Sequence, residues 1–188
     1  LYESLDPPTI QRWTDPGSIE NATSRQVAHL LSFPRTGTTL LEQALDAHPR
    51  IDAAPERVIF SKLIFPSVGQ HAHHAPSFLE NLDSASDDLL ASQAERYFRL
   101  HAEVAGNAPN QEPNVLIDKN PNHTSLWAAL VRVLPHSRFI VPHRDPRDVV
   151  LSCYFQNFPV SEYSVAFLDI ASTCELYLAE RKSLQRLG

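Results

Sequence analysis

The sequence predicts an α/β fold, a parallel β-sheet flanked by helices, and three observations carry that reading. Short apolar runs alternate with stretches of helical periodicity, each run ends in turn residues, and the charged and hydroxyl residues suited to chemistry follow directly after the runs. Residues 27–33 read as a buried strand, 34–37 as a turn, and 38–47 as a helix whose Leu41, Ala44 and Leu45 recur at helical spacing. After a Pro- and His-containing middle, residues 86–104 form a helical pattern with Leu89, Leu90, Ala94, Tyr97 and Phe98 on one side. Residues 115–117 are the next strand, 124–134 the next helix, and 138–141 a third strand stopped by Pro142. Helices over 146–155 and 164–187 complete the pattern. In parallel sheets of this kind ligands bind beyond the carboxyl ends of the strands.

The bulk composition narrows the function classes. A formal net charge of −6 argues against a general nucleic-acid binder, which carries a basic face. The longest apolar runs are interrupted by His29 and Lys62 and fall short of the ~20 residues of a membrane span. Cys153 and Cys174 both sit in helical stretches and suggest no disulfide framework, so a reduced, cytoplasmic setting is expected. The chain starts at Leu1 and contains no Met, so the native start and any targeting signal are expected upstream.

Between the first strand and its helix lies Phe33-Pro-Arg-Thr-Gly-Thr-Thr-Leu-Leu41. This is the composition of an anion site. Gly37 lets the backbone approach a ligand, and the unpaired N–H groups and dipole of the helix start favour negative charge. Thr36, Thr38 and Thr39 supply hydroxyls, and Arg35 a planar, charge-assisted donor set for phosphate or sulfate oxygens. An ordinary capped strand-to-helix turn is the bland alternative. The nucleoside-triphosphatase pattern G-x-x-x-x-G-K-[ST] is absent, which disfavours a nucleotide kinase.

The run from Pro34 to Gln43 resembles the 5′-phosphosulfate loop of sulfotransferases that use 3′-phosphoadenosine-5′-phosphosulfate (PAPS), particularly bacterial enzymes related to tyrosylprotein sulfotransferases. That resemblance, covering about residues 27–158, implies a P-loop-like nucleotide-binding fold and PAPS as cosubstrate, with no metal. The Pro, Asp, Ser and Asn mixture of the first residues suggests an N-terminal entry segment, 1–26, and the resemblance makes 27–188 the nucleotide-binding domain, expected to be incomplete at its C-terminal end. Residues 138–152 look like the family's 3′-phosphate motif, in which Arg144 and Ser152, eight residues apart, would hold that phosphate. A salt bridge and a helix-interior Ser are the alternative. One departure is Gln156, where the tyrosylprotein enzymes carry Arg. Asp145 and Asp148 read as capping and charging the following helix, with Arg147 their surface partner.

Sulfuryl transfer needs a base for the acceptor hydroxyl and a cation for the leaving oxygen. By resemblance Lys119, after a strand end in Ile117-Asp-Lys-Asn-Pro121, is the cation and Glu56 the base, although Pro55-Glu56 also reads as a helix start. His123 is a competing base, four residues after Lys119. His71, His73 and His74 lack nearby carboxylate or Cys company and read as a solvated loop, not a metal site. The function expected is therefore transfer of a sulfuryl group from PAPS to a hydroxyl-bearing acceptor such as a peptide tyrosine, a sugar or a small molecule. A catalytically incomplete PAPS-binding fragment or inactive relative is the alternative, and a homodimer is left open.

Overall fold

The computed structural model describes residues 5–15, 26–69, 77–105, 115–161 and 163–187. Its centre is a four-stranded parallel sheet in the order β2-β3-β1-β4, formed by β1 (Gln26–Leu30), β2 (Ile51–Pro55), β3 (Val115–Lys119) and β4 (Arg138–Ile140). The register sets Leu30 beside Lys119 and Ile140, and Pro55 beside Lys119, so the four strands end together. Helices α1 (Pro7–Thr14), α2 (Thr38–Asp46), α3 (Phe65–Gly69), α4 (Phe78–Ser84), α5 (Asp87–Ala105), α6 (Trp127–Val133), α7 (Pro146–Phe155) and α8 (Ile170–Leu184) surround it.

Strand alternation divides the core. Ala28, Leu30 and Ile117 point to one face, where Leu41 and Leu45 of α2 cover them. Val27, Leu31 and Leu116 point to the other and join the largest cluster, with Tyr97 of α5 and the fully buried helix α6. A third cluster of Phe33, Val149, Cys153, Phe167 and Tyr177 seats α7 and α8 beneath the loop that follows β1. The α/β architecture expected from the sequence is thus observed, with both Cys thiols free.

The differences from expectation have local causes. Residues 51–55 form edge strand β2, which hydrophobic patterning did not reveal because Ile-Asp-Ala-Ala-Pro lacks β-branched alternation. Pro55 at its end is tolerated there because β2 pairs on one side only. Pro55-Glu56 therefore closes a strand and does not open a helix. The helix expected over 124–134 begins as a 3-10 turn, Pro121–Leu126, and α8 is likewise preceded by one, Ser164–Leu168.

Before β1, the Pro7-Pro8 pair starts α1, where Asp6 caps by accepting from the Thr9 N–H at 3.0 Å and proline needs no intrahelical donor. Its Trp13 is buried in the main core, donates from Nε1 to Asp83 at 2.8 Å, and lies under the Arg132 guanidinium, 5.8 Å from the ring centre. Buried Arg132 also donates to the carbonyls of Leu82 and Ala85, both at 3.1 Å, tying α6 to the end of α4.

Candidate functional site

Each of the four strands delivers a charged side chain at its carboxyl end: Arg35 after β1, Glu56 after β2, Lys119 at the end of β3 and Arg144 after β4. The backbone is unusual at the same places. Among the described residues, positive φ occurs only at Arg35 (70°), Gly37 (96°) and Glu56 (47°). Glycine adopts that region freely, whereas a residue with a Cβ is disfavoured by about 1–2 kcal/mol, so Arg35 and Glu56 are held there by their surroundings.

The loop after β1 is braced from within. Thr36 donates its hydroxyl to Ser32 Oγ at 2.8 Å and to the Phe33 carbonyl at 2.9 Å. Its side chain is therefore part of the loop's frame, and only its backbone remains for a ligand. Gly37 is the N-cap of α2 and supplies no side-chain cap, so the first amides of the helix stay directed outward. Thr38 and Thr39 stand at that helix start, and their hydroxyls make no hydrogen bond among the described residues.

The second junction meets the first. Arg144 donates from Nη1 to the Arg35 carbonyl at 3.2 Å, and Arg35 Nε donates to Ser152 Oγ at 3.0 Å. Arg35, Arg144 and Ser152 are thereby brought together across more than a hundred residues of sequence. Arg144 also pairs with Asp148 at 3.5 Å, both half-exposed. Asp145 caps α7 through the Arg147 N–H at 2.9 Å, and its two oxygens grip the Arg147 guanidinium, which holds the carboxyl down at about 2. These last contacts match the capping roles expected of them.

Lys119 is the most constrained group at the site. Its side chain is 6% exposed, and Nζ lies 3.0 Å from Glu56 Oε1 and 3.1 Å from Glu42 Oε2. Burial disfavours the ammonium, but the two carboxylates outweigh it and raise the lysine above its usual range. Glu56 is the opposite case, 64% exposed. Its position is fixed by the backbone, where its N–H donates to the Lys119 carbonyl at 2.7 Å. Asn120, next in sequence, donates to the Arg57 carbonyl at 2.8 Å and closes the turn from the other side.

Glu42 is the participant that sequence patterning missed. It is buried on α2, 5% exposed, and its carboxylate reaches Lys119 from the helix that starts at the loop after β1. The signal was present in the helical wheel: Glu42 stands three and four residues after Thr39 and Thr38, and three before Leu45, on the edge of the stripe facing the sheet. His123, the competing base, lies in the interior instead. It is fully buried in the 3-10 turn before α6, with Nδ1 3.9 Å from Asp118 Oδ2, and burial lowers its pKa. His71, His73 and His74 lie outside the described residues.

The model of the sulfotransferase family matches residues 29–187, nearly the whole chain and every element of this site. The chain belongs to the sulfotransferase family. Among curated relatives of this sulfotransferase-family chain is a Caenorhabditis briggsae protein that bears a protein-tyrosine sulfotransferase name, 27% identical over 145 residues, covering 75% of this chain and 47% of that protein. Protein-tyrosine sulfotransferase 1 of Danio rerio is 28% identical over 135 residues, covering 71% and 36%. Nodulation protein NoeE of Sinorhizobium fredii is 28% identical over 137 residues, covering 67% and 30%. The chain spans less than half the length of each of these relatives. No described helix of this sulfotransferase-family chain is long and apolar enough to cross a membrane.

Proposed function

We propose that this chain binds PAPS across the two strand-to-helix junctions and transfers its sulfuryl group to a hydroxyl acceptor without a metal in the reaction. The observation that carries this is the convergence of Arg35, Arg144 and Ser152 beside the open N-terminus of α2. The residues present suit the cosubstrate. The amides of Gly37 to Thr39, the Thr38 and Thr39 hydroxyls and Arg35 offer donors to the 5′-phosphosulfate. Arg144 and Ser152 offer a charge and a hydroxyl to the 3′-phosphate.

In the reaction proposed, the acceptor hydroxyl gives its proton to Glu56 as its oxygen attacks sulfur. The bond from sulfur to the bridging phosphate oxygen breaks, and the electron pair stays on that oxygen. Lys119 stabilises the charge appearing there, and the products are a sulfate ester and 3′-phosphoadenosine-5′-phosphate (PAP). The paired carboxylates on Lys119 support this division of roles. Glu42 is buried and stays with the ammonium, while exposed Glu56 can release it to meet an acceptor at the mouth.

Calorimetry with PAP and transfer of labelled sulfate from PAPS to a panel of phenols, tyrosine peptides and sugars test the proposal. Binding together with transfer is the expected result. PAP binding with no transfer to any acceptor, from this chain or a longer form of it, would favour the binding-module alternative. No PAP binding would overturn both.

A further inference from the structure

On the sheet face away from α2 lies a set of titratable side chains that the proposed reaction does not use. His29 comes from β1, Asp118 from β3, His123 from the 3-10 turn before α6, and Tyr97 and His101 from α5. His29, Asp118, His123 and Tyr97 are fully buried and His101 is 3% exposed. Strand alternation places them there: His29 and Asp118 are register partners in adjacent strands and point opposite to Lys119.

The hydrogen bonding of this group is incomplete. Tyr97 donates its hydroxyl to Asp118 Oδ2 at 2.6 Å. Arg57 Nη1 stands 3.4 Å from His101 Nδ1, which makes that nitrogen the acceptor and leaves the ring proton on Nε2, 3.5 Å from Asp118 Oδ2. Both nitrogens of His29, both of His123, His101 Nε2 and Asp118 Oδ1 find no hydrogen-bond partner among the described residues. Each buried polar atom left so costs about 1–3 kcal/mol, and six in one place call for a common partner.

We propose that His29, Asp118 and His123 bind one divalent transition-metal ion, with Zn2+ the best fit. One donor atom from each lies within 4.8 Å of the others. The Nδ1 atoms of His29 and His123 are 4.0 and 3.9 Å from Asp118 Oδ2. A tetrahedral Zn2+ with bonds of about 2.0–2.1 Å sets its donors about 3.4 Å apart, so side-chain rotations must draw the imidazoles about 0.6 Å toward the carboxylate and up to about 1.4 Å toward each other. Two imidazoles and one carboxylate select zinc, cobalt or nickel over calcium or magnesium, which prefer all-oxygen sets. Tyr97 and His101 stand against the same carboxylate and orient it, the outer-shell arrangement that positions ligands. The ion's role is structural: it ties β1, β3 and the following turn together directly behind Lys119.

The test uses the whole chain carrying His71→Ala, His73→Ala and His74→Ala, so that this tract cannot contribute, beside the unmodified chain. After chelator stripping, Zn2+ or Co2+ is titrated against a chromophoric chelator. One equivalent per chain is expected, with affinity reduced at least 100-fold by His29→Phe or His123→Leu and about 10-fold or more by Tyr97→Phe. Should the histidine variants not fold, X-ray absorption of the Zn2+-loaded parent decides, with two imidazole nitrogens and a carboxylate expected around the ion. No stoichiometric uptake, unchanged affinity in a folded His29→Phe or His123→Leu chain, or a coordination shell without imidazole overturns the site. PAP calorimetry on the same preparations keeps this outcome separate from that of the proposed sulfuryl transfer.

Discussion

Replacing Glu42 by Gln removes a negative charge 3.1 Å from the Lys119 ammonium while preserving size and one acceptor oxygen. At that distance, with an effective dielectric of about 20, the gross attraction is about 5 kcal/mol. Desolvation of both groups offsets much of this, since the Glu42 and Lys119 side chains are 7% and 6% exposed. Hydrogen bonds to charged groups retain about 1.5–3 kcal/mol net, so a loss near 2 kcal/mol is expected, or roughly 4–8 °C in Tm for a chain of this size. A second consequence separates a positioning role from a merely structural one. Without Glu42, Lys119 depends on Glu56 alone, and the carboxylate proposed as the base is held in the ion pair. Urea melts should therefore show the stability loss, PAP calorimetry little change, and sulfate transfer a fall in kcat of about tenfold or more with KM for PAPS nearly constant. Adding Glu56→Gln to Glu42→Gln should then lower kcat less than it does in the unmodified chain, because the two substitutions act through one lysine. Unchanged melts and unchanged kcat for Glu42→Gln would refute the reasoning.

Glu56→Gln alone should lower transfer by about 100-fold or more while PAP affinity stays within a factor of two, checked by steady-state rates and calorimetry. Gly37→Ala places a Cβ at φ 96° in open space, with no atom within 4 Å, so about 1 kcal/mol of backbone strain is expected without a clash; a urea melt and a matching drop in PAP affinity measure it. Glu180 of α8 is 9% exposed, and burial raises its carboxyl to about 7. In the unfolded chain it ionises near 4.5, so its contribution is fully present below that pH and is lost as pH rises through 7. The stability difference between Glu180→Gln and the unmodified chain should therefore shift in the variant's favour by about 3 kcal/mol from pH 4 to pH 8, and a flat difference in urea melts would contradict the assignment.

The parts of this fold that patterning made legible are those whose local chemistry agrees with their tertiary setting. Residues 27–33 are apolar because β1 is buried on both faces, and Asp145-Pro146 announces α7 because the cap and the N1 proline act locally. Strand β2 was hidden because its conformation comes from pairing with β3, not from Ile-Asp-Ala-Ala-Pro itself. Helix α1 was hidden because Pro7-Pro8 reads equally as a loop until Asp6 is seen to cap it. At the site, the motif residues Arg35, Arg144, Ser152, Lys119 and Glu56 are legible in the sequence, and the structure sets Arg35 against both Arg144 and Ser152. Sequence patterning gives Glu42 no role and His29 only that of interrupting an apolar run. Their roles depend on which face of a helix or strand they occupy, and that is decided only when the sheet and α2 are packed together.

The central claim is that two strand-to-helix junctions hold opposite ends of one adenine nucleotide, and a crystal structure with PAP bound tests it most directly. The 5′-phosphate is expected on the amides of Gly37 to Thr39 with Arg35, and the 3′-phosphate of the same molecule on Arg144 and Ser152. PAP seated elsewhere, or touching one junction and leaving the other to solvent, would contradict it.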